Sequence, residues 1–93
     1  MVQSVINDKE DNMYVGAIHT VSDPQRFWGT QLQMPEGVTL HSALPNQDGT
    51  RAVCVWEADS VSTVQQLVDG AAGEISTNEF FAINQENAQG LPS

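Results

Sequence analysis

The chain has 93 residues and is therefore expected to form one domain. Its net charge is −9 at pH 7, because 12 acidic residues stand against only 3 basic ones. Such a surface repels phosphate backbones and anionic lipids, so no nucleic-acid partner and no membrane partner is expected. The one cysteine, Cys54, cannot form a disulfide within the chain, and a lone thiol is typical of a cytoplasmic protein.

The first part of the chain predicts a leader, a strand and a short helix. Residues 1–12 are polar and are predicted to form a flexible leader. Residues 13–21, MYVGAIHTV, are rich in β-branched and aromatic side chains, which predicts the first strand. Residues 22–24, Ser-Asp-Pro, supply a helix cap and a proline suited to a first helical turn. The predicted apolar stripe of that helix consists of Phe27, Trp28, Gln31 and Leu32.

The second part predicts three strands and a second helix. Residues 38–44 form the second strand, and PNQDGT leads back into a third strand over residues 51–57. Ser60 can cap the next helix, whose apolar positions recur at helical spacing. Residues 80–83 are the fourth strand. Residues 85–93 form a tail that either packs along a partner subunit or is frayed.

This order of elements, β-α-β-β-α-β, is the split βαβ pattern of ferredoxin-like folds. It predicts an α+β domain over residues 13–84, with a four-stranded antiparallel sheet and both helices on one face. The first strand has few polar residues on either face, and a strand of that kind is usually covered on both sides. We therefore expect a second copy of the chain to cover the other face, in a sheet-to-sheet homodimer.

The pattern of a strand, DPxxFW, a helix, a hairpin, a helix and a final strand resembles the dimeric α/β-barrel superfamily. That superfamily includes antibiotic-biosynthesis-type monooxygenases, muconolactone isomerases, stress-responsive barrel proteins and small metal-binding members. The resemblance implies that two sheets face each other in a dimer and that ligands occupy a pocket between sheet and helices. It implies an architecture and no particular activity.

The predicted hairpin suggests one metal site. If Pro45 pairs with Thr50, then His41 lies opposite Cys54 on the face that also carries Trp56. Thiolate and imidazole suit nickel, zinc or copper, so His41 and Cys54 are the candidate ligands, although no cofactor is certain. The alternative is that Cys54 is a small buried apolar residue and that His41 is hydrogen-bonded to a backbone carbonyl.

His19 is the candidate catalytic residue, because it lies where a strand meets the start of a helix and can act as a general base. The candidate ligand-binding residues are Tyr14, Trp28, His41 and Trp56. The first hypothesis is a homodimer that binds a small apolar molecule or a metal ion. The alternatives are a cofactor-independent monooxygenase or isomerase with a histidine base, and a structural or regulatory module without a pocket.

Overall fold

The computed structural model of the protein describes residues 12–92, so the predicted leader lies outside the described residues except for Asn12. These residues form four strands and two helices. In chain order they are β1 Met13–Val21, α1 Pro24–Gly29, β2 Thr39–Pro45, β3 Arg51–Ala58, α2 Val61–Ala72 and β4 Ser76–Ala82. The strands make one antiparallel sheet in the order β2-β3-β1-β4. Neither described helix has the length and apolar character needed to span a bilayer.

The predicted order of elements is confirmed, and so are both predicted helix starts. Asp23 accepts a hydrogen bond from the backbone N–H of Arg26, and Ser60 accepts one from the N–H of Thr63. Helix α1 is shorter than its apolar stripe predicts, because Thr30 already adopts an extended backbone. The stripe residue Leu32 therefore lies in the loop after α1.

Strand β4 begins at Ser76, four residues before the predicted start at Phe80. Its first half, STNE, is polar and gives no strand signal by composition. Those residues are held in the sheet by pairing with β1, in a register that places Ser76 opposite Val21 and Asn78 opposite His19. The backbone partner thus extends the strand beyond what its side chains predict.

The two faces of the sheet differ in what covers them. Every second residue from Val15 in β1 and from Ala52 in β3 is buried on the face toward α2. The core there includes Val15, Ala17, Cys54, Trp56, Val64 and Val68. We call the opposite face the open face. Its side chains include Leu44, Val53, Ile18, Val55 and Phe81, by the registers of the four strands. Leu44, Val53 and Phe81 are 62%, 47% and 42% exposed.

The predicted hairpin register is wrong by two residues. Pro45 pairs with Ala52 and not with Thr50, so Ala43 rather than His41 lies opposite Cys54. The cause is the loop, which Asn46 closes by accepting a hydrogen bond from the Arg51 N–H with its side-chain oxygen at 3.0 Å. An irregularity between Leu40 and Ser42 then shifts the ladder again, at His41.

The hairpin loop is joined to α1 through Gly49. Its carbonyl accepts a hydrogen bond of 3.0 Å from Trp28 Nε1, and its φ of 77° lies in the left-handed region that favours glycine. A Cβ at this position would lie 3.0 Å from Trp28 Nε1 and 3.2 Å from Pro24 Cβ. The close approach of the loop to α1 therefore also requires glycine.

Gly49→Ala is expected to destabilise the protein more than Gly37→Ala. Gly37 also has a left-handed φ, 87°, but no atom lies within 4 Å of the place that an alanine Cβ would take there, so its substitution costs only backbone strain of about 1–2 kcal/mol. Gly49→Ala adds the displacement of Trp28, at about 1–3 kcal/mol for overpacking. Urea unfolding of both variants measures the difference. Equal destabilisation would show that the Trp28 contact does not hold the loop.

Candidate functional site

A cavity of about 160 Å³ lies between the sheet and the helices. Its walls are mainly apolar and consist of Phe27, Trp28, Leu32, Leu40, Val68 and Ala72. Two buried side chains with polar atoms, His19 and Trp56, complete the wall on the sheet side, and Thr30 adds a hydroxyl group near the loop. An apolar cavity with few polar groups is the usual form of a small-molecule site.

His19 is 1% exposed and is held by a chain of hydrogen bonds. Its Nδ1 lies 2.6 Å from the side-chain oxygen of Asn78, and the Asn78 amide nitrogen donates to Asp69 at 2.9 Å. The imidazole is also flanked by Phe27 and Phe80, with ring centroids 5.4 and 6.4 Å away. Both the position and the plane of the ring are thereby restrained.

Trp56 is 2% exposed, and its Nε1–H has no hydrogen-bond partner within residues 12–92. A buried donor without a partner costs about 1–3 kcal/mol, so native proteins seldom leave one. Because Trp56 also lines the cavity, a molecule in the cavity is one candidate for the missing acceptor.

Comparison of the chain with protein-family models, with curated proteins and with solved structures found no match. The geometry of the cavity is therefore the basis for any functional assignment.

The predicted site residues divide between the two faces of the sheet. His19, Trp28 and Trp56 line the cavity. Tyr14 and His41 instead lie together on the open face, with ring centroids 5.6 Å apart. His41 Nε2 is 2.9 Å from the Glu57 carboxylate there. The hydrogen-bond partner of His41 is therefore a side chain and not the predicted backbone carbonyl.

The Tyr14 hydroxyl donates to the carbonyl of Pro92 at 3.0 Å. The C-terminal tail thus returns to the sheet of its own chain. Packing of the tail on a partner subunit stays a prediction.

The predicted metal pair, His41 and Cys54, is not brought together. It depended on the register that placed His41 opposite Cys54, and that register is wrong. Cys54 belongs to the core on the helix side of the sheet, whereas His41 contacts Glu57 on the open face. Within residues 12–92, no three His, Cys, Asp or Glu side chains form a group that could hold a metal ion.

Cys54 has the environment of a buried structural cysteine. Desolvation raises the pKa of its thiol to about 11 from the ordinary value of 9.0, because the core disfavours the thiolate. Burial of the neutral thiol contributes fully to the stability of the fold below pH 9. This contribution is lost as the pH rises from 9 through about 11, since the thiol of the unfolded chain ionises first.

Alkylation of Cys54 by iodoacetamide is therefore expected to be negligible in the native protein at pH 8 and complete in urea. Mass spectrometry of the alkylated chain measures the modified fraction. The thiolate is the reactive species, and burial suppresses both its formation and its access to the reagent. Labelling of the native protein at the rate of free cysteine would contradict this burial.

Sequence reasoning missed Asn78 and Asp69, which orient His19. Asn78 lies outside the predicted fourth strand, in the polar segment STNE. The signal that could have found it is alternation, because Asn78 and Phe80 share a face of β4 and both pack against His19. Asp69 is exposed on α2 and carries no signal of its own.

Proposed function

We propose that the protein binds a small, largely apolar molecule in the cavity between the sheet and the helices. The observation that supports this most is that Trp56, whose Nε1–H is a buried donor without a protein partner among residues 12–92, lines an apolar cavity. A ligand with an acceptor atom would satisfy this donor, and the aromatic walls would hold its apolar part. A module without a pocket is disfavoured by the same cavity.

The size of the cavity restricts the ligand. An apolar cavity of about 150 Å³ accommodates benzene in another protein. The cavity here, about 160 Å³, therefore suits a molecule of one ring. Neither Arg26 nor Arg51, the two basic residues within residues 12–92, lines it, so a neutral ligand is favoured over an anion.

Titration with toluene tests the proposal. Toluene is expected to shift the Trp56 Nε1–H signal in ¹H–¹⁵N spectra and to raise the melting temperature, because it binds only the folded chain. Ala72→Leu places a larger side chain in the cavity wall and is expected to abolish both effects. Ala71→Leu, on the exposed side of the same helix, is the matched control and should leave both unchanged. Absence of any effect in the parent protein would refute binding.

We also propose that the fold is ferredoxin-like and that two copies pack with their open faces together. The strand order β2-β3-β1-β4 with antiparallel neighbours supports the first part. The exposed apolar side chains of the open face support the second, since a contiguous apolar patch on a small domain commonly marks an interface. A second copy offers a matching patch by symmetry.

A histidine-based enzyme is the second candidate function. It is favoured by the hydrogen-bond chain from Asp69 through Asn78 to His19, an arrangement that orients a general base. In an isomerase, His19 would take a proton from one carbon of the bound molecule and return it to another, with no oxidant needed. A monooxygenase would require molecular oxygen as a further substrate.

The enzyme hypothesis is tested with His19→Ala on a panel of phenols and lactones. Turnover by the parent protein should be lost in His19→Ala and retained in His41→Ala, since His41 lies on the open face. Equal turnover in all three proteins would exclude His19 as a base, and the melting temperature of each variant shows whether it is folded.

A further inference from the structure

We infer that the cavity selects neutral one-ring molecules that carry a hydroxyl group at one end and a carbonyl group at the other. This inference rests on the proposed binding function and adds the class of the ligand. The hydroxyl group would donate a hydrogen bond to His19, and the carbonyl oxygen would accept one from Trp56.

The role of His19 follows from its neighbours. The Asn78 amide nitrogen donates to the Asp69 carboxylate, which only accepts, so the Asn78 oxygen is the atom that faces His19. This oxygen can only accept, and His19 Nδ1 must therefore carry the proton. In the neutral ring, Nε2 is then an acceptor. Nε2 is also the ring nitrogen that remains free to bind a ligand, because Nδ1 is hydrogen-bonded to Asn78, which does not line the cavity.

The role of Trp56 is the opposite one. The indole Nε1–H is a donor only, and it has no acceptor among the described residues. The wall therefore holds an acceptor and a donor beside the Thr30 hydroxyl group, whose own proton is donated to the Arg26 carbonyl. A carboxylate would satisfy Trp56 but not His19, and a hydrocarbon would satisfy neither.

The strand register separates the two groups. Trp56 lies opposite Val15 on β1, four residues from His19 along that strand. At roughly 3.3 Å per residue, this offset is about 13 Å between backbone positions. Both residues line the same cavity, so a ligand held there would lie between them. Its donor and acceptor groups should therefore be at opposite ends of the ring.

Four ligands of similar shape test this inference at pH 6, where the hydroxyl groups of the phenols are not ionised. p-Xylene carries neither polar group, 4-methylphenol carries the hydroxyl only, and 4-methylbenzaldehyde carries the carbonyl only. 4-Hydroxybenzaldehyde carries both. Each polar group is expected to lower the Kd about 3- to 10-fold. The Kd is measured from the change in chemical shift of the Trp56 Nε1–H during titration. Asn78→Leu should remove only the gain in affinity from the hydroxyl group. Trp56→Phe should remove only the gain from the carbonyl group, and binding to this variant is measured by thermal shift because the Trp56 signal is absent. Thr77→Val, on the open face of β4, is the control for changes in the strand.

The tautomer of His19 is measured independently of any ligand. Two-bond ¹H–¹⁵N spectra over a range of pH should show a protonated Nδ1 and an unprotonated Nε2 for His19. Because the chain has two histidines, His41→Gln assigns the signals. The opposite tautomer, or equal binding of all four ligands, would overturn the inference and leave the proposed function intact. Failure of all four ligands to bind would overturn both.

Discussion

Val53→Asp is expected to convert the proposed dimer to a monomer at micromolar concentration. Val53 is on the inner strand β3, between Leu44 of β2 and Ile18 of β1, so it is at the centre of an apolar row across the open face. In the proposed dimer, two-fold symmetry would bury two such aspartates, and an unpaired buried charge is strongly unfavourable. Sedimentation velocity should give about twice the chain mass of 10.1 kDa for the parent and the single mass for the variant.

Gln65→Asp is the matched control for Val53→Asp. It adds the same charge at an exposed position of α2 and should leave the dimer intact. The net charge of −9 opposes association of two copies, so added salt should strengthen the parent dimer. A parent protein that sediments as a monomer would refute the dimer. A dimeric Val53→Asp variant would show that the open face is not the interface.

Gly16 and Phe81 explain how the open face retains an apolar surface. Phe81 pairs with Gly16 across β1 and β4, and a Cβ at Gly16 would overlap the ring of Phe81. The aromatic ring therefore lies over the glycine and covers backbone that would otherwise face solvent. Gly16 is buried as a result, although it has no side chain to pack.

The elements are predictable from the sequence where the side chains themselves determine them. Strand β1 and the start of α2 have the predicted bounds, because β-branched residues and a serine cap are local signals. Strand β4 is longer than its composition predicts, because its polar half is held only by its pairing with β1. Local composition contains no information about such a partner.

The predicted pairing of His41 with Cys54 was wrong for a different reason. A hairpin register depends on how the loop closes. The side chain of Asn46 closes this loop by a hydrogen bond to Arg51, and the loop is two residues longer than predicted. The further irregularity at His41 has no sequence signal, since neither glycine nor proline marks it. The sequence also does not predict which face of the sheet His19 occupies, because strand alternation alone does not orient β1 relative to the hairpin. In the structure, His19 lines one cavity with Trp28 and Trp56.

Trp56→Phe is expected to change the free energy of unfolding by less than about 1 kcal/mol, although Trp56 is one of the most buried side chains of the described residues. The smaller ring loses packing, but the change also removes a buried N–H without a partner, whose desolvation costs about 1–3 kcal/mol in the folded state. These two effects oppose each other. Trp56→Ala removes the whole ring and should cost about 3–5 kcal/mol, a large share of the stability of a domain this size.

Trp28→Phe is the matched comparison. Trp28 is partly exposed, yet its Nε1–H donates to the Gly49 carbonyl, so the variant loses a hydrogen bond and leaves that acceptor without its partner. It should cost about 1–2 kcal/mol, more than Trp56→Phe, in urea unfolding. The reverse order would mean that the Trp56 Nε1–H is already satisfied in the folded protein, for example by a water molecule in the cavity. A ligand acceptor would then have to displace that partner, and the carbonyl group should bring little gain in binding.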